Sequence, residues 1–455
     1  MWRDVSRRNL MAGAAALLGG TLASPAIGFV TGRPRVIVIG AGISGLAAAR
    51  HLADAGCEVI VLEGRDRIGG RLHTLRTLSS PVELGANWIH GTKGNPIAAL
   101  ARAAGAKTTV TDFDERTAVF YPGGKAVPDR DLARAEARYH RVLEEIDETL
   151  ESNADVSLAT ALAARDPAIL TDPLLGLVMT DETEGDQGAP ADRISAYWFD
   201  EDGGFDGPDV VLPGGYDAIL APLARGLDIR LATPVESIAR NAAGVSVATV
   251  RGVLKADFAV CSVPLGVLKS GRIGFDPPLP AAHQTAIARI GFGTVARVAI
   301  EFPQAFWPKE PHVFGFVAAQ RGRWPLILNH TPISGHAILT AIATGPYAEV
   351  ADAMTPAALK ADFLDALGAL FGRKVPEPRG FLASNWSRDA FAGGAYSVIA
   401  PGSTPDDFAA LAQGIDGRVF LTGEHTGFAH HATVHGAFLS GQRSAGAIVA
   451  LAKRG

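Results

Sequence analysis

The chain has 455 residues, enough for two or three domains of ordinary size. Hydrophobic residues make up 47% and charged residues 20%, a globular balance that excludes a disordered chain. The formal net charge of −5 argues against a nucleic-acid-binding surface, and two cysteines cannot form a disulfide scaffold or a four-cysteine zinc site. The interior apolar runs are short or interrupted, so no stable membrane insertion is expected.

The first segment has the features of an export signal. Arg7 and Arg8 precede an apolar, Ala/Gly-rich stretch, Met11–Leu22, and a Ser-Pro-Ala sequence ends at Ala26. We predict a bacterial twin-arginine signal over residues 1–26, the twin-arginine export machinery as a partner, and a periplasmic mature protein. A short buried helix is the alternative. Because this route exports folded proteins, we expect the chain to carry a prosthetic group.

A buried strand then leads into a glycine-rich turn and a helix. Val36–Ile39 is followed by Gly40, Gly42 and Gly45 in GxGxxG spacing, and a helical pattern runs from Leu46 to Ala55. A second strand, Val59–Leu62, ends at Glu63, 18 residues after the last glycine. This order predicts a dinucleotide site in which the helix N-terminus faces the phosphates and the acid accepts hydrogen bonds from the ribose.

FAD is favoured over NAD by the residues after Glu63. The continuation contains Gly64 and Arg65, then the pair Gly69 and Gly70, then Arg71. A second glycine pair beside an arginine lets backbone and guanidinium meet a longer ligand, which a nicotinamide dinucleotide would not need.

The string from Arg35 to Arg71 resembles the FAD-binding entry of the flavin-containing amine oxidases, the family of monoamine oxidases, polyamine oxidases and histone lysine demethylases. The resemblance extends to Leu451 and is closest to the polyamine oxidase and demethylase branch. It is carried in order by five further segments: Glu83–Gly91, Val211–Tyr216, Val263–Leu268, Asn385–Tyr396 and Leu421–Ala437.

The resemblance implies an α/β fold of two domains, a Rossmann-type FAD domain and a substrate domain with a mixed sheet and helices. The FAD domain is expected to collect residues 33–110, 210–290 and 395–455. The substrate domain is expected to collect residues 111–209 and 291–394, with the active site where the two domains meet.

The glycine motif and the resemblance together assign a set of residues to FAD. Val235 would meet the adenine, Glu424 the linker between ribityl and phosphate, and Thr433 and Val434 the pyrimidine edge. A helix from Ala437 to Leu451 would offer its N-terminus to the flavin. The full set is Gly40, Gly42, Ile43, Ser44, Gly45, Glu63, Gly64, Arg65, Gly69, Gly70, Arg71, Gly85, Ala86, Asn87, Trp88, Val235, Gly423, Glu424, Thr433 and Val434.

The same resemblance implies a catalytic set. His90 would face the substrate amine, while Trp386 and Tyr396 would form an aromatic wall at the flavin. Alternatively, His90 is a polar residue with its hydrogen bonds satisfied and no role towards substrate, and Trp386 is an ordinary residue of the hydrophobic core. Thr433 stands where many relatives have a second aromatic ring, and Arg297 where most have a lysine that holds a water at flavin N5.

One departure concerns the attachment of the cofactor. Monoamine oxidases have a flavin-bonded cysteine immediately before the wall tyrosine, where this chain has Ala395. FAD is therefore expected to be non-covalent. His431 and His435 stand four residues apart, but no acid-rich set accompanies them, so no metal site is expected.

Three functions remain open on the sequence. The first is oxidation of a polyamine or similar aliphatic amine by hydride transfer to flavin N5, giving an imine, then an aldehyde, and hydrogen peroxide. The second is a flavin dehydrogenase or oxidase of an amino acid or alkaloid-type amine, with Arg297 binding a carboxylate or a redox partner replacing oxygen as acceptor. The third is a flavin-binding protein that has lost catalysis.

Overall fold

The computed structural model describes residues 32–113, 117–200 and 203–454. The predicted signal, residues 1–26, lies outside the described residues. The strands are β1 (Arg35–Ile39), β2 (Glu58–Leu62), β3 (Thr74–Leu75), β4 (Val82–Glu83), β5 (Trp88–Ile89), β6 (Thr109–Val110), β7 (Thr117–Tyr121), β8 (Lys125–Ala126), β9 (Val210–Val211), β10 (Asp228–Arg230), β11 (Val235–Asn241), β12 (Gly244–Thr249), β13 (Gly252–Ala256), β14 (Phe258–Cys261), β15 (Gly274–Asp276), β16 (Gly291–Phe292), β17 (Ala296–Glu301), β18 (Val313–Phe316), β19 (Leu326–Asn329), β20 (Ile338–Ala343), β21 (Gly380–Ala383), β22 (Ser397–Val398), β23 (Gly414–Ile415) and β24 (Val419–Leu421).

The helices lie between groups of these strands, and α3 to α7 follow one another without an intervening strand. They are α1 (Ile43–Asp54), α2 (Pro96–Ala103), α3 (Asp129–Thr149), α4 (Leu158–Arg165), α5 (Ala168–Thr171), α6 (Pro173–Met179), α7 (Gly185–Gln187), α8 (Leu220–Ala224), α9 (Leu265–Lys269), α10 (Ala281–Arg289), α11 (Thr331–Ser334), α12 (Gly345–Ala353), α13 (Pro356–Phe371), α14 (Pro405–Ala412) and α15 (Val434–Ala452). Among the described residues, none of these helices combines the length and the apolar character needed to cross a membrane.

A six-stranded sheet carries the nucleotide motif. Its order is β10-β2-β1-β14-β24-β23, and every neighbouring pair is parallel except the edge pair β23–β24. Strand β1 is fully buried after its first residue, as expected of a central parallel strand. The carboxyl ends of β1 and β2 therefore meet at one edge of the sheet, where the glycine turn and Glu63 follow.

Helices α1 and α15 pack together against this sheet. A Cβ on Gly441 of α15 would lie 2.2 Å from the carbonyl oxygen of Ser44 in α1, so the glycine permits their close contact. Leu46 and Phe438 lie in the core that the two helices share with β1. The C-terminal helix therefore supports the helix whose N-terminus faces the nucleotide site.

A second large sheet has seven strands and is mixed. Its order is β21-β17-β20-β19-β18-β7-β8, antiparallel except for the parallel pair β18–β7. Phe363 and Leu367 of α13 belong to the core of this sheet. All its strands come from the residues assigned above to a substrate domain, while the six-stranded sheet draws only on the FAD ranges. The domain boundaries themselves stay a prediction.

Candidate active site

The turn after β1 brings backbone atoms very close together. Gly40 has a φ of +97°, a conformation that favours glycine, and its N–H donates to the Leu62 carbonyl at 2.7 Å. A Cβ on Gly45 would lie 2.0 Å from the Gly40 carbonyl oxygen, whereas one on Gly42 would meet only Gly69, at 3.9 Å. The turn is therefore closed at Gly45 and open at Gly42, as the approach of a pyrophosphate requires.

The start of α1 is suited to an anion. The N–H groups of its first turn, which includes Ile43, have no acceptor within the helix. Gly42 is the N-cap and supplies no side-chain acceptor either, so these N–H groups can bind an anion. The predicted second glycine pair lies beside this turn, because Gly69 bridges to Gly42. Ser44 is different, since its hydroxyl bonds Thr422 and Ser440 at 2.9 and 3.1 Å and so ties α1 to α15.

Glu63 holds the glycine turn through its carboxylate. One oxygen accepts from the Ala41 N–H at 2.7 Å, and the other accepts from the Arg65 N–H at 2.9 Å. Its carbonyl accepts from the Thr233 N–H at 2.8 Å, two residues before Val235. Each carboxylate oxygen keeps further acceptor capacity, so the predicted ribose contact is compatible with this geometry.

The two arginines that follow are engaged with protein groups. Arg65 pairs with Asp389 at 2.5 Å and lies over the Phe391 ring, which also contacts Gly64. Nη1 of Arg71 donates to the Ala395 carbonyl at 2.6 Å and to the Glu424 carboxylate at 2.9 Å.

Glu424 is a buried hydrogen-bond centre. Besides Arg71 it accepts from the Ser397 hydroxyl at 2.5 Å, the Ser397 N–H at 3.3 Å and the Ala432 N–H at 2.9 Å. Burial alone would raise the pKa of Glu424, but Arg71, His425 and the Ser397 hydroxyl outweigh it and hold the pKa at about 2. The contact with the FAD linker stays a prediction; the structure shows this carboxylate fixing Arg71 and the turn before α15.

The predicted wall residues are firmly held. The Tyr396 hydroxyl donates to the Gly185 carbonyl at 2.6 Å, and its ring lies against Gly188, where a Cβ would come within 2.4 Å. Burial raises the pKa of Tyr396, so the phenol stays neutral. Trp386 is buried, and its indole N–H donates to the Leu84 carbonyl at 2.8 Å. Its ring lies beside Gly85, where a Cβ would come within 3.4 Å of it.

Arg297 lies on β17, a strand with every residue buried. Its guanidinium is 5.5 Å from the centre of the Trp88 ring and donates to the Glu83 carbonyl at 3.4 Å. Burial lowers the pKa of Arg297 to about 10, although Glu83 and Tyr396 oppose the shift. The side chain is therefore a buried positive charge at neutral pH, next to an aromatic face.

Thr433 has a structural role that the sequence analysis missed. Its hydroxyl accepts from the Gly436 N–H at 2.9 Å and donates to the His430 carbonyl at 2.9 Å, so it is the N-cap of α15. The helix consequently begins at Val434 and not at Ala437 as expected. A threonine directly before an apolar helical run is the signal that could have revealed this.

His90 is half exposed and paired with an acid. Its Nδ1 lies 2.8 Å from a carboxylate oxygen of Asp209, and the His90 side chain is 56% exposed. The centre of the His90 ring lies 6.4 Å from that of the Trp88 ring, over which the Arg297 guanidinium lies. Asp209 was not among the predicted residues.

The comparisons with known proteins fit this geometry. The family model described as flavin containing amine oxidoreductase matches residues 43–449. The chain belongs to the flavin-containing amine oxidase family. Its fold is that of FAD-dependent amine oxidases: cyclohexylamine oxidase from Brevibacterium oxydans has a TM-score of 0.78 at 23% identity and covers 93% of this chain and 100% of its own. A cofactor-binding redesign of putrescine oxidase has a TM-score of 0.77 at 22% identity, covering 92% and 99%.

Curated relatives include polyamine oxidases and histone demethylase homologues. Polyamine oxidase 2 of Arabidopsis thaliana is 36% identical over 91% of this chain and 88% of its own length. Lysine-specific histone demethylase 1 homolog 1 of Oryza sativa subsp. japonica is 34% identical over 92% of this chain but 53% of its own length. The chain thus spans about half the length of the histone demethylase relatives.

FAD is the cofactor of this amine oxidase family member, and the described residues fit it. The amide nitrogen of Asn87 is buried and has no hydrogen-bond partner among the described residues, although the segment around it is tightly packed. In that segment Ala86 donates to the Arg71 carbonyl at 3.1 Å, and a Cβ on Gly85 would lie 1.8 Å from the same oxygen. Gly423 donates to Ser440 at 2.9 Å, and Gly70 follows Gly69 at the open turn. Within the described residues, no cluster of metal-ligating side chains is present.

A glycine substitution tests the nucleotide site. We expect Gly45→Ala to weaken FAD binding by on the order of tenfold or more, because its Cβ would overlap the Gly40 carbonyl. Gly446→Ala in α15 is the matched control, since a Cβ there meets no atom within 4 Å. FAD dissociation constants of both variants, measured by titrating apoprotein, give the comparison. Equal affinities would contradict the assigned role of the Gly45 turn.

Proposed function

We propose that the protein oxidises an amine with FAD, acting on a polyamine or similar aliphatic amine. The single observation that carries this proposal is the match of residues 43–449 to the amine oxidase family. Gly45 and Glu63 lie within the matched range, and Gly40 and Gly42 directly precede it. The bound FAD would accept a hydride equivalent from the carbon next to the amine nitrogen. The imine would hydrolyse to an aldehyde and a smaller amine.

The residues of this chain would supply position and charge. Alkylammonium groups have pKa values near about 10, so the reactive neutral amine is rare at pH 7. The aromatic wall that the resemblance implies for Tyr396 and Trp386 would disfavour the charged form by desolvation. His90 would take the proton from the ammonium group, and Arg297 would contribute a fixed positive charge that stabilises negative charge developing nearby.

The substrate class is supported by polyamine oxidase 2 of Arabidopsis thaliana, which this chain matches over most of both lengths. Arg297 favours a second candidate, an amino acid or alkaloid-type amine oxidised with an acceptor other than oxygen, because a buried guanidinium can bind a carboxylate. The third possibility, a flavin-binding protein without catalysis, rests only on Arg297 standing where most relatives have a lysine, and the intact FAD motifs argue against it.

A substrate panel tests the proposal. The FAD-loaded protein is incubated with polyamines, monoamines and amino acids, and both peroxide release and reduction of an artificial electron acceptor are measured. We expect turnover with aliphatic polyamines. Turnover only with amino acids would favour the second candidate, and reduction of the artificial acceptor without peroxide would exclude oxygen as an efficient acceptor.

The attachment of FAD is tested by acid precipitation. Because Ala395 offers no sulfur for a bond to the flavin, we expect essentially all flavin absorbance in the supernatant. Ala395→Cys provides the comparison, since it restores a thiol at that position. Flavin retained in the wild-type pellet would show a covalent bond and contradict the prediction.

We also propose export through the twin-arginine route, which rests on the sequence of residues 1–26 alone. Replacing Arg7 and Arg8 by lysines is expected to leave folded, FAD-containing protein in the cytoplasm. Fractionation of cells that express the two forms gives the answer. Undiminished periplasmic protein in the lysine variant would contradict the proposal.

A further inference from the structure

His90 and Asp209 face each other because of the register of a small sheet. Strands β5 and β9 are antiparallel, with Trp88 opposite Val211 and Ile89 opposite Val210. The next pair in this register is His90 with Asp209, although the two residues are 119 positions apart in the chain. Backbone pairing therefore sets this contact, so it does not depend on a mobile loop.

The Asp209 carboxylate makes two hydrogen bonds at this point. One oxygen accepts from the Gly91 N–H at 2.9 Å, and the other lies 2.8 Å from Nδ1 of His90. The Asp209 side chain is 14% exposed, whereas that of His90 is 56% exposed. An ionised carboxylate can only accept, so Nδ1 must carry the hydrogen, and a neutral His90 ring then has its lone pair on Nε2.

We propose that Asp209 is the positioning residue that prepares His90 to accept a proton from the substrate ammonium group. Nε2 takes that proton, the amine keeps its lone pair, and Asp209 stabilises the resulting imidazolium. Nearby, the buried charge of Arg297 lies over the Trp88 ring, whose centre is 6.4 Å from that of the His90 ring. This inference rests on the proposed amine oxidation and adds a residue to it.

The substitution Asp209→Asn tests whether Asp209 sets the position of the hydrogen on the His90 ring. The asparagine amide has one accepting oxygen, but the Gly91 N–H and the His90 Nδ1–H both need an acceptor. If the oxygen stays with Gly91, the amide N–H₂ faces His90 and forces the hydrogen to Nε2. Asp206→Asn is the matched control, because Asp206 is exposed and bonds Lys93 only through its backbone carbonyl.

The first measurement is independent of turnover. NMR of the FAD-loaded protein with ¹⁵N-labelled histidine reports which ring nitrogen of His90 carries the hydrogen, with His90→Gln identifying the signals. We expect an Nδ1–H ring in the wild type and in Asp206→Asn, and an Nε2–H ring in Asp209→Asn. An unchanged ring in Asp209→Asn would overturn the inference.

The second measurement is the rate of flavin reduction by amine under anaerobic conditions. Asp209→Asn should lower the limiting rate on the order of a hundredfold, while the amine concentration that gives half of this rate changes by less than about threefold. Adding Asp209→Asn to His90→Gln should not lower the limiting rate of flavin reduction any further, because Asp209 acts through His90. Asp209→Glu, which keeps the carboxylate, should recover part of the rate.

The outcomes separate the two proposals. A wild-type protein that no amine reduces would refute the proposed function. A wild type that amines reduce, with Asp209→Asn equally fast or with full additivity in the His90→Gln background, would refute only the role of Asp209. If Asp209→Asn fails to fold, the comparison of Asp209→Glu with wild type and Asp206→Asn decides the same question.

Discussion

Replacing Glu424 by glutamine is expected to destabilise the FAD-loaded protein by about 3 kcal/mol, because the change leaves Arg71 without its buried ionic partner. The amide would also put a donor where Ser397 and Ala432 now donate. Since Arg71 also bonds the Ala395 carbonyl, we expect FAD to be lost more readily as well. Urea unfolding and gel filtration measure the two effects.

The control for this change is Glu349→Gln, which breaks an exposed ion pair with Arg193 at 2.6 Å. Exposed pairs contribute about 0–1 kcal/mol, so this variant should resemble the wild type. The pKa of about 2 adds a pH dependence. The Glu424 carboxylate stabilises the fold above its unfolded pKa, and the difference between wild type and Glu424→Gln should shrink as the pH falls from about 4.3 towards 2. Equal stability of both glutamine variants would contradict the role of Glu424.

Arg297→Lys is expected to raise the rate of flavin reoxidation by oxygen by roughly tenfold or more, and to change amine-dependent flavin reduction less. The resemblance puts Arg297 where relatives hold a water with a lysine, and a planar guanidinium over the Trp88 ring is not equivalent to an ammonium. Stopped-flow measurement of the two half-reactions separates these rates.

Arg130→Lys serves as the control for this prediction, because the Arg130 side chain is 83% exposed on α3. It should leave both half-reactions unchanged. Equal reoxidation rates in wild type and Arg297→Lys would mean that Arg297 does not govern the reaction with oxygen.

The nucleotide site was predictable because its signals are local. A β-branched strand, three spaced glycines, a helical pattern and an acid occur within 29 residues of sequence, Arg35–Glu63. The structure has β1, α1 and β2 in that order, with α1 beginning at Ile43, three residues before the expected Leu46. The difference arises because Gly42, not the last glycine, is the N-cap.

Contacts between distant segments were not predictable in the same way. The Arg71–Glu424 pair joins residues 353 positions apart, and the His90–Asp209 pair depends on the register of two strands of two residues each. Periodicity does not report such pairings. The segment that carries Arg297 is likewise divided into β16 and β17, which belong to different sheets. The resemblance located these segments without revealing their partners.

Anaerobic titration of the FAD-loaded protein with an aliphatic polyamine tests the central claim most directly. We predict complete loss of the oxidised flavin absorbance at one equivalent of oxidisable amine, with formation of one equivalent of aldehyde, and recovery of the absorbance when oxygen or an artificial acceptor is added. Flavin that dithionite reduces but no amine reduces would contradict the proposal that this protein is an amine oxidase.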